Sequence, residues 1–226
     1  MKKLFCCAAS AILVLSLASC GGSSQKKSQI FGEVPGMYIE ASQDLSKIEE
    51  KMVNSSSDAK LEKYNAKREK AKEEWTSKIE KAAQEWSGSQ LEMKATPQFT
   101  VSQPLTVEYV NIQHLCPEYS LKGEVKAAAD YPIEYRSEAE RAYRLQHPDD
   151  LKYIYVKIQL VGTDAEGKEL FREDIANMHP QILDNGEIGI KTGTVAELSQ
   201  LFFRERDAEA YSKTVEMHLE YKNVPY

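Results

Sequence analysis

"LKYIYVKIQLVGTDAEGKELFREDIA" (residues 151–176) alternates apolar and polar residues, turns, and alternates again. Ile154, Val156, Ile158 and Leu160 point one way along a strand, because side chains alternate across the pleat with period two. Asp164-Ala165-Glu166-Gly167 supplies the turn, and "KELFREDIA" runs back, so the stretch reads as a β-hairpin with a four-residue loop. A hairpin with one apolar face must bury that face against something else.

The same texture extends to both sides. Pro97 marks a boundary, after which Leu105, Val107 and Tyr109 alternate with Thr106 and Glu108 in "PLTVEYVNIQHLC". Leu121, Gly123 and Val125 alternate in "YSLKGEVKAAA", and "GEIGIKTG" reads as a further strand. In "KTVEMHLEYK", Val215, Met217, Leu219 and Tyr221 take one face and Glu216, His218, Glu220 and Lys222 the other. One face is expected in the core and one in water. Two capping boxes, Ser137-Glu138-Ala139-Glu140 and Thr194-Val195-Ala196-Glu197, predict helical inserts over "EAERAYRLQ" and "AELSQLFFRER". If the second is a helix, Phe202 and Phe203 diverge by about 100°, so one of them belongs to a surface patch or the buried face is wide.

Ahead of Pro97 the period changes. Residues 39–88 are helical in pattern: Leu45, Ile48 and Met52, then Leu61, Tyr64, Arg68, Ala71, Trp75, Ile79, Ala82 and Trp86, keep a three-four spacing. Ser57 or Asp58 can cap the second helix and Gly88 can end it, which makes Asn54–Ser57 the bend of a hairpin. The expected packing is of this stripe on its partner helix and on the strands. The expected class is α+β: an N-terminal helical hairpin (39–88) and an antiparallel immunoglobulin-like β-sandwich (97–226) with short helical inserts.

Composition agrees with a globular chain. Of 226 residues, 42% are hydrophobic and 28% charged, and the 12 tyrosines suit strands. The formal charge of −6 becomes −8 once Lys2 and Lys3 are removed, which excludes non-specific nucleic-acid binding as the expected role.

Lys2 and Lys3 precede an apolar run, LFCCAASAILVLSLAS (4–19), which is shorter than the roughly 20 residues of a spanning helix. That order of a positive start, a short apolar run and small residues is a secretory signal. Leu17-Ala18-Ser19-Cys20 resembles the lipobox of bacterial lipoproteins at every position. The resemblance implies removal of 1–19, a diacylglyceryl thioether on Cys20, and acylation of the new amino terminus. Each buried methylene contributes about 0.8 kcal/mol, and stable anchoring takes more than one chain. Residues 20–38, beginning GGSSQKK after the cysteine, are expected to be a flexible tether. Gly21, where an aspartate would hint at inner-membrane retention, favours the outer membrane by family habit.

A second resemblance covers 105–222. "LKGEVK" (121–126), "YIYVKIQLVGTDAEGKEL" (153–170) and "ILDNGEIGI" (182–190) look like the FxLYD type of immunoglobulin-like sandwich. Ala127 stands where that family has an asparagine, and a helical insert separates the first two motifs. What the resemblance implies is a fold and no activity.

Chemistry-bearing motifs are missing from the sequence. Gly-x-Ser-x-Gly, the phosphate-binding Gly-x-x-x-x-Gly-Lys-Ser/Thr and Gly-x-Gly-x-x-Gly do not occur. His114, His147, His179 and His218 are dispersed, so no metal site and no cofactor is expected. With Cys6 and Cys7 in the leader and Cys20 acylated, Cys116 is the one remaining thiol, expected in the core rather than acting with His114. The carboxylates Asp149, Asp150, Glu166, Glu173, Asp174, Asp184, Glu187 and Glu205–Glu209 are expected on solvated faces, and "TDAEGK" lacks the ligand pattern of a calcium loop. The expectation is a lipid-anchored, non-catalytic binding or assembly module of the cell envelope, with an envelope protein as partner. A small envelope hydrolase with a site assembled only in the fold, or a helical-hairpin chaperone or structural subunit, are the alternatives.

Overall fold

In the computed structural model, which describes residues 29–222, two helices lead into a series of antiparallel strands. Helix α1 (Val34–Val53), with Pro35 in its first turn, and helix α2 (Asp58–Trp86) form the hairpin, and Asn54–Ser57 is its bend. Strands β1 (Phe99–Gln113), β2 (Cys116–Ala127) and β3 (Tyr131–Pro132) follow. Helix α3 (Glu138–Gln146) opens on Ser137, whose side chain accepts from the Glu140 amide at 3.2 Å. Next come β4 (Val156–Thr163), β5 (Glu169–Met178), β6 (Gln181–Ile182), β7 (Ile188–Ile190), β8 (Glu197–Leu198) and β9 (Gln200–Phe202). A short helix α4 (Ala208–Lys213) precedes β10 (Glu216–Tyr221).

The opening hairpin forms as β4 and β5, and Asp164 explains the turn. Its carboxylate accepts from the amides of Glu166 and Lys168, while Gly167 takes φ +79°, a conformation that suits glycine. Pairing orders the strands β10-β4-β5-β8 in one sheet, β1-β2-β9 in a second and β3-β7-β6 in a small third. Val107, Tyr119, Leu121 and Val125 of the second sheet share a single core with Ile158, Leu160, Ile175, Met178, Met217 and Leu219 of the first.

Two segments stitch the larger sheets together. β8 pairs with β5 and, after Ser199, β9 pairs with β2. On the other side, the Gly88 and Leu91 amides donate to Val107 and Leu105 of β1, and the Lys94 amide donates to Met217 of β10. The edges of both sheets are therefore partly occupied by the chain's own backbone, which removes templates for edge-to-edge association.

Four expectations need correction. The tether does not extend to residue 38: Ile30, Phe31 and Val34 are fully buried and α1 starts at Val34. Phe31 fits a box of aromatic rings and Ile30 joins the same core, and that gain outweighs the freedom of a short glycine-containing segment. The helix expected over 196–206 does not form: 196–203 are extended, and only a 3-10 turn at Glu205–Asp207 is helical. The Ala196 amide donates to Val125 and the Phe203 amide to Pro117, so sheet partners take the donors a helix would have used. Leu201 and Phe203 then face the core with Phe202 exposed between them, the alternation of extended chain. Val215 is 51% exposed rather than aligned with Met217 and Leu219, because it lies ahead of β10. His114 and Leu115 do not continue a strand; both take positive φ (51° and 66°) in the tight turn between β1 and β2.

Candidate functional site at the helix–sheet junction

The base of the helical hairpin meets the strands around Phe31. Its ring centroid lies 5.4 Å from Trp86 of α2, 5.7 Å from Tyr119 of β2, 5.3 Å from Phe203 and 4.8 Å from Tyr211 of α4. The last two contacts are edge-to-face, the arrangement that ring quadrupoles favour. Phe31 sits at φ +63°, which costs a non-glycine residue about 1 kcal/mol or more. Burying the ring contributes about 1.5–3 kcal/mol, so packing holds the strained backbone in place. Gly32, at φ +59°, is required here twice over, since a Cβ would also come within 3.0 Å of Trp86 Cδ1.

Beside this box is a buried acid. Glu173, on the inward face of β5, is 3% exposed. The Tyr211 hydroxyl donates to its Oε1 at 2.7 Å, and Arg204 Nη2 lies 2.7 Å from its Oε2. Burial pushes the Glu173 carboxyl above its ordinary range, against the opposing pull of Tyr211 and Arg204. Burial and the neighbouring Glu173 push the Tyr211 hydroxyl up in turn. Both carboxylate oxygens are engaged, so the group ties α4 and the strand-to-α4 connection to β5.

Tyr38 of α1 donates to Glu205 Oε2 at 2.8 Å. Half-buried Cys116 contacts the same glutamate, and burial first, then the Glu205 carboxylate, push its thiol up. The thiolate that nucleophilic chemistry needs is therefore suppressed. His114 sits in the exposed turn and lines a cavity together with Cys116. On the other flank of the hairpin, the Tyr109 hydroxyl donates to Glu80 at 2.9 Å, joining β1 to α2, and burial followed by Glu80 pushes it up to about 12.

The remaining residues singled out from sequence are spread over the molecule. His147 caps α3, His179 Nδ1 lies 3.0 Å from the Ile154 carbonyl, and His218 Nε2 lies 3.1 Å from Glu220. Among the described residues no three His, Cys, Asp or Glu side chains converge on a possible metal position. Asp149, Asp150, Glu166, Asp184, Glu187, Glu205 and Glu209 are exposed or half-exposed, and Glu173 alone of the acids named above is buried. Asp174 keeps to the outer face, paired with Lys157 at 2.7 Å. Cys20 lies outside the described residues. Phe31, Arg204 and Tyr211 were not marked by any motif; the apolar pair Ile30-Phe31 just ahead of Pro35 was the only available signal for the first.

Beyond the junction the hairpin becomes an arm. No residue of α2 from Asp58 to Lys78 is buried, and the first to be so is Ile79. Those turns extend about 30 Å. Arg68 Nε binds Glu49 of α1 at 2.8 Å, Trp75 is half-buried with Lys78 Nζ 4.4 Å from its ring centre, and Trp86 is in the core. A cavity of about 340 Å³ opens at the base of the arm, lined by Gln29, Gly32, Glu33, Glu85, Trp86 and Gln90 among others. Compared with protein-family models, curated proteins and solved structures, the chain matches none.

Proposed function

We propose that the protein is a lipid-anchored component of the bacterial cell envelope, held to a membrane through acyl chains on Cys20 and serving as a non-catalytic binding or assembly module. Lys2, Lys3, the apolar run 4–19 and Leu17–Cys20 support the anchor, and Gly21 favours the outer membrane. The shared core of the two larger sheets supports an immunoglobulin-like sandwich as the body.

One observation carries the non-catalytic reading. Glu173, Tyr119, Tyr211 and Tyr221, each raised from its ordinary range, are locked inside packing rather than gathered in a cavity, where perturbed groups would favour a hydrolase. The stripe through Ile79 and Trp86 is buried, which weighs against a chaperone that presents it. A pull-down from native membranes with the mature protein as bait tests the reading. A single stoichiometric envelope protein is expected; no partner, together with turnover in a substrate screen, would overturn it.

A further inference from the structure

The charges on α2 are sorted by side. At about 100° per residue, Lys60, Lys63, Lys67, Lys70, Lys78 and Lys81 fall within an arc of roughly 80° on one flank of the apolar seam, joined there by Glu74 and Glu85. Asp58, Glu62, Glu69, Glu73 and Glu80 fall within about 60° on the other flank, with Lys72 the exception between them and the seam. The lysines of the first flank are all exposed. Among the described residues Lys60, Lys63 and Lys67 form no ion pair, while Lys70 and Lys81 reach Glu74 and Glu85 only at 3.8 and 4.0 Å, in open solvent where such pairs contribute little.

The two flanks have different surroundings. Glu80, on the acidic side, is held by Tyr109 of β1, so that side turns toward the strands at the base. On the lysine side, Glu85 lines the same cavity as Gln29, the first described residue of the chain. Gln29, the residue from which the chain leads back to Cys20, therefore stands at the root of the lysine flank. From Cys20 to Ile30 the chain can span at most about 35 Å. With Cys20 in a bilayer, the arm and that bilayer are confined to the same neighbourhood.

We propose that the lysine flank of α2 docks on the anionic surface of the membrane that holds the anchor, so that the arm lies along the bilayer instead of projecting from it. The placement rests on the lipid-anchor reading above; the affinity for an anionic surface does not. Basic side chains near such a surface each add attraction that salt screens, and a lipid anchor joined to a basic patch is more firmly held than the anchor alone. The acids at the root, Glu33, Glu85 and Glu92, work against contact there, so Lys60, Lys63, Lys67 and Lys70 of the outer turns carry the attraction.

The test uses the chain from residue 20 onward with Cys20→Ala, which contains every described residue and carries no lipid. It is sedimented with vesicles of phosphatidylcholine containing 30% phosphatidylglycerol, and with phosphatidylcholine alone. The expected result is binding to the anionic vesicles only, abolished by 0.5 M salt. The triple variant Lys60→Gln, Lys63→Gln, Lys67→Gln should lower the partition coefficient by on the order of tenfold to a hundredfold, with its circular dichroism unchanged. Glu62→Gln, Glu69→Gln, Glu73→Gln on the opposite flank should not weaken binding. No sedimentation with anionic vesicles, equal binding to neutral ones, or indifference to the lysine substitutions would overturn the proposal. Because the protein tested is unlipidated, such a failure leaves the anchor itself to be judged by its own experiment.

Discussion

Phe31 and Tyr211, near opposite ends of the described chain, pack edge to face with their ring centroids 4.8 Å apart. Through this pair the entry of the chain into the body is fastened to α4, and through the Tyr211 hydroxyl to the buried Glu173. The helical hairpin, both larger sheets and the root of the tether thus converge on one box of rings. Its integrity decides whether the arm holds a fixed position relative to the strands.

Removing the central ring tests that box. Phe31→Ala should destabilise the protein by about 3–5 kcal/mol, the usual cost of emptying a buried aromatic site. The measurement is the midpoint of denaturant unfolding, and hydrogen exchange in the first turns of α1 should rise with it. A loss below about 1 kcal/mol would mean that the segment before α1 packs elsewhere.

Glu173 predicts the sign of a pH dependence. Its carboxyl is raised in the folded state, so the fold holds a proton that the unfolded chain has released. Stability attributable to it should fall as pH rises from about 4.5 through the folded value, and stay level above. Glu124, Asp130, Asp174 and Glu220 are lowered, so their contributions are lost only as pH falls below the ordinary carboxylate range. Unfolding free energies at a series of pH values should show both limbs, and Glu173→Gln should flatten only the upper one. An upper limb unchanged in that variant would assign it to another group.

Gly123 in β2 has φ +134°, and a Cβ there would lie 2.6 Å from the Pro104 carbonyl oxygen. Gly123→Ala should therefore cost more than about 2 kcal/mol, since neither the backbone nor its neighbour in β1 can give way cheaply. Gly186, also at positive φ but with open space around it, is the control and should cost less on the same substitution. Equal thermal shifts for the two variants would contradict the close approach of β1 and β2.

Cys116 should alkylate slowly. Its thiol is held up by burial and by Glu205, so less thiolate is present at pH 8 than for an unhindered cysteine. Iodoacetamide labelling of the native chain from residue 20 onward with Cys20→Ala, in which Cys116 is the one thiol, should be several-fold slower than after unfolding in urea. Native labelling as fast as unfolded would indicate an activated thiol and reopen the nucleophile reading.

Much of the architecture was legible in the residues. Period-two alternation marked β1, β2, β4, β5 and β10, three-four spacing marked the hairpin, and Ser137 marked α3, because each signal acts over a few neighbouring residues. The errors came where distant partners decided the outcome. Thr194–Glu197 carries a helix-opening pattern, yet amide donors taken up by Val125 and Pro117 kept that segment extended. Glu173 reads like any surface acid, and only the arrival of Arg204 and Tyr211 makes its burial tolerable. Phe31 looked like part of a tether because its box is assembled from four separate segments. The lysine flank of α2 was hidden by a near balance of lysine and glutamate, which counts charges but not the sides they occupy.

The anchor is the claim on which the placement of the whole molecule depends, and mass spectrometry of the amino terminus of the mature protein, purified from membranes, tests it most directly. The account predicts that the chain begins at Cys20 and carries the added mass of a diacylglyceryl group with further acylation. A mature chain beginning elsewhere, or a Cys20 bearing no lipid, would contradict it.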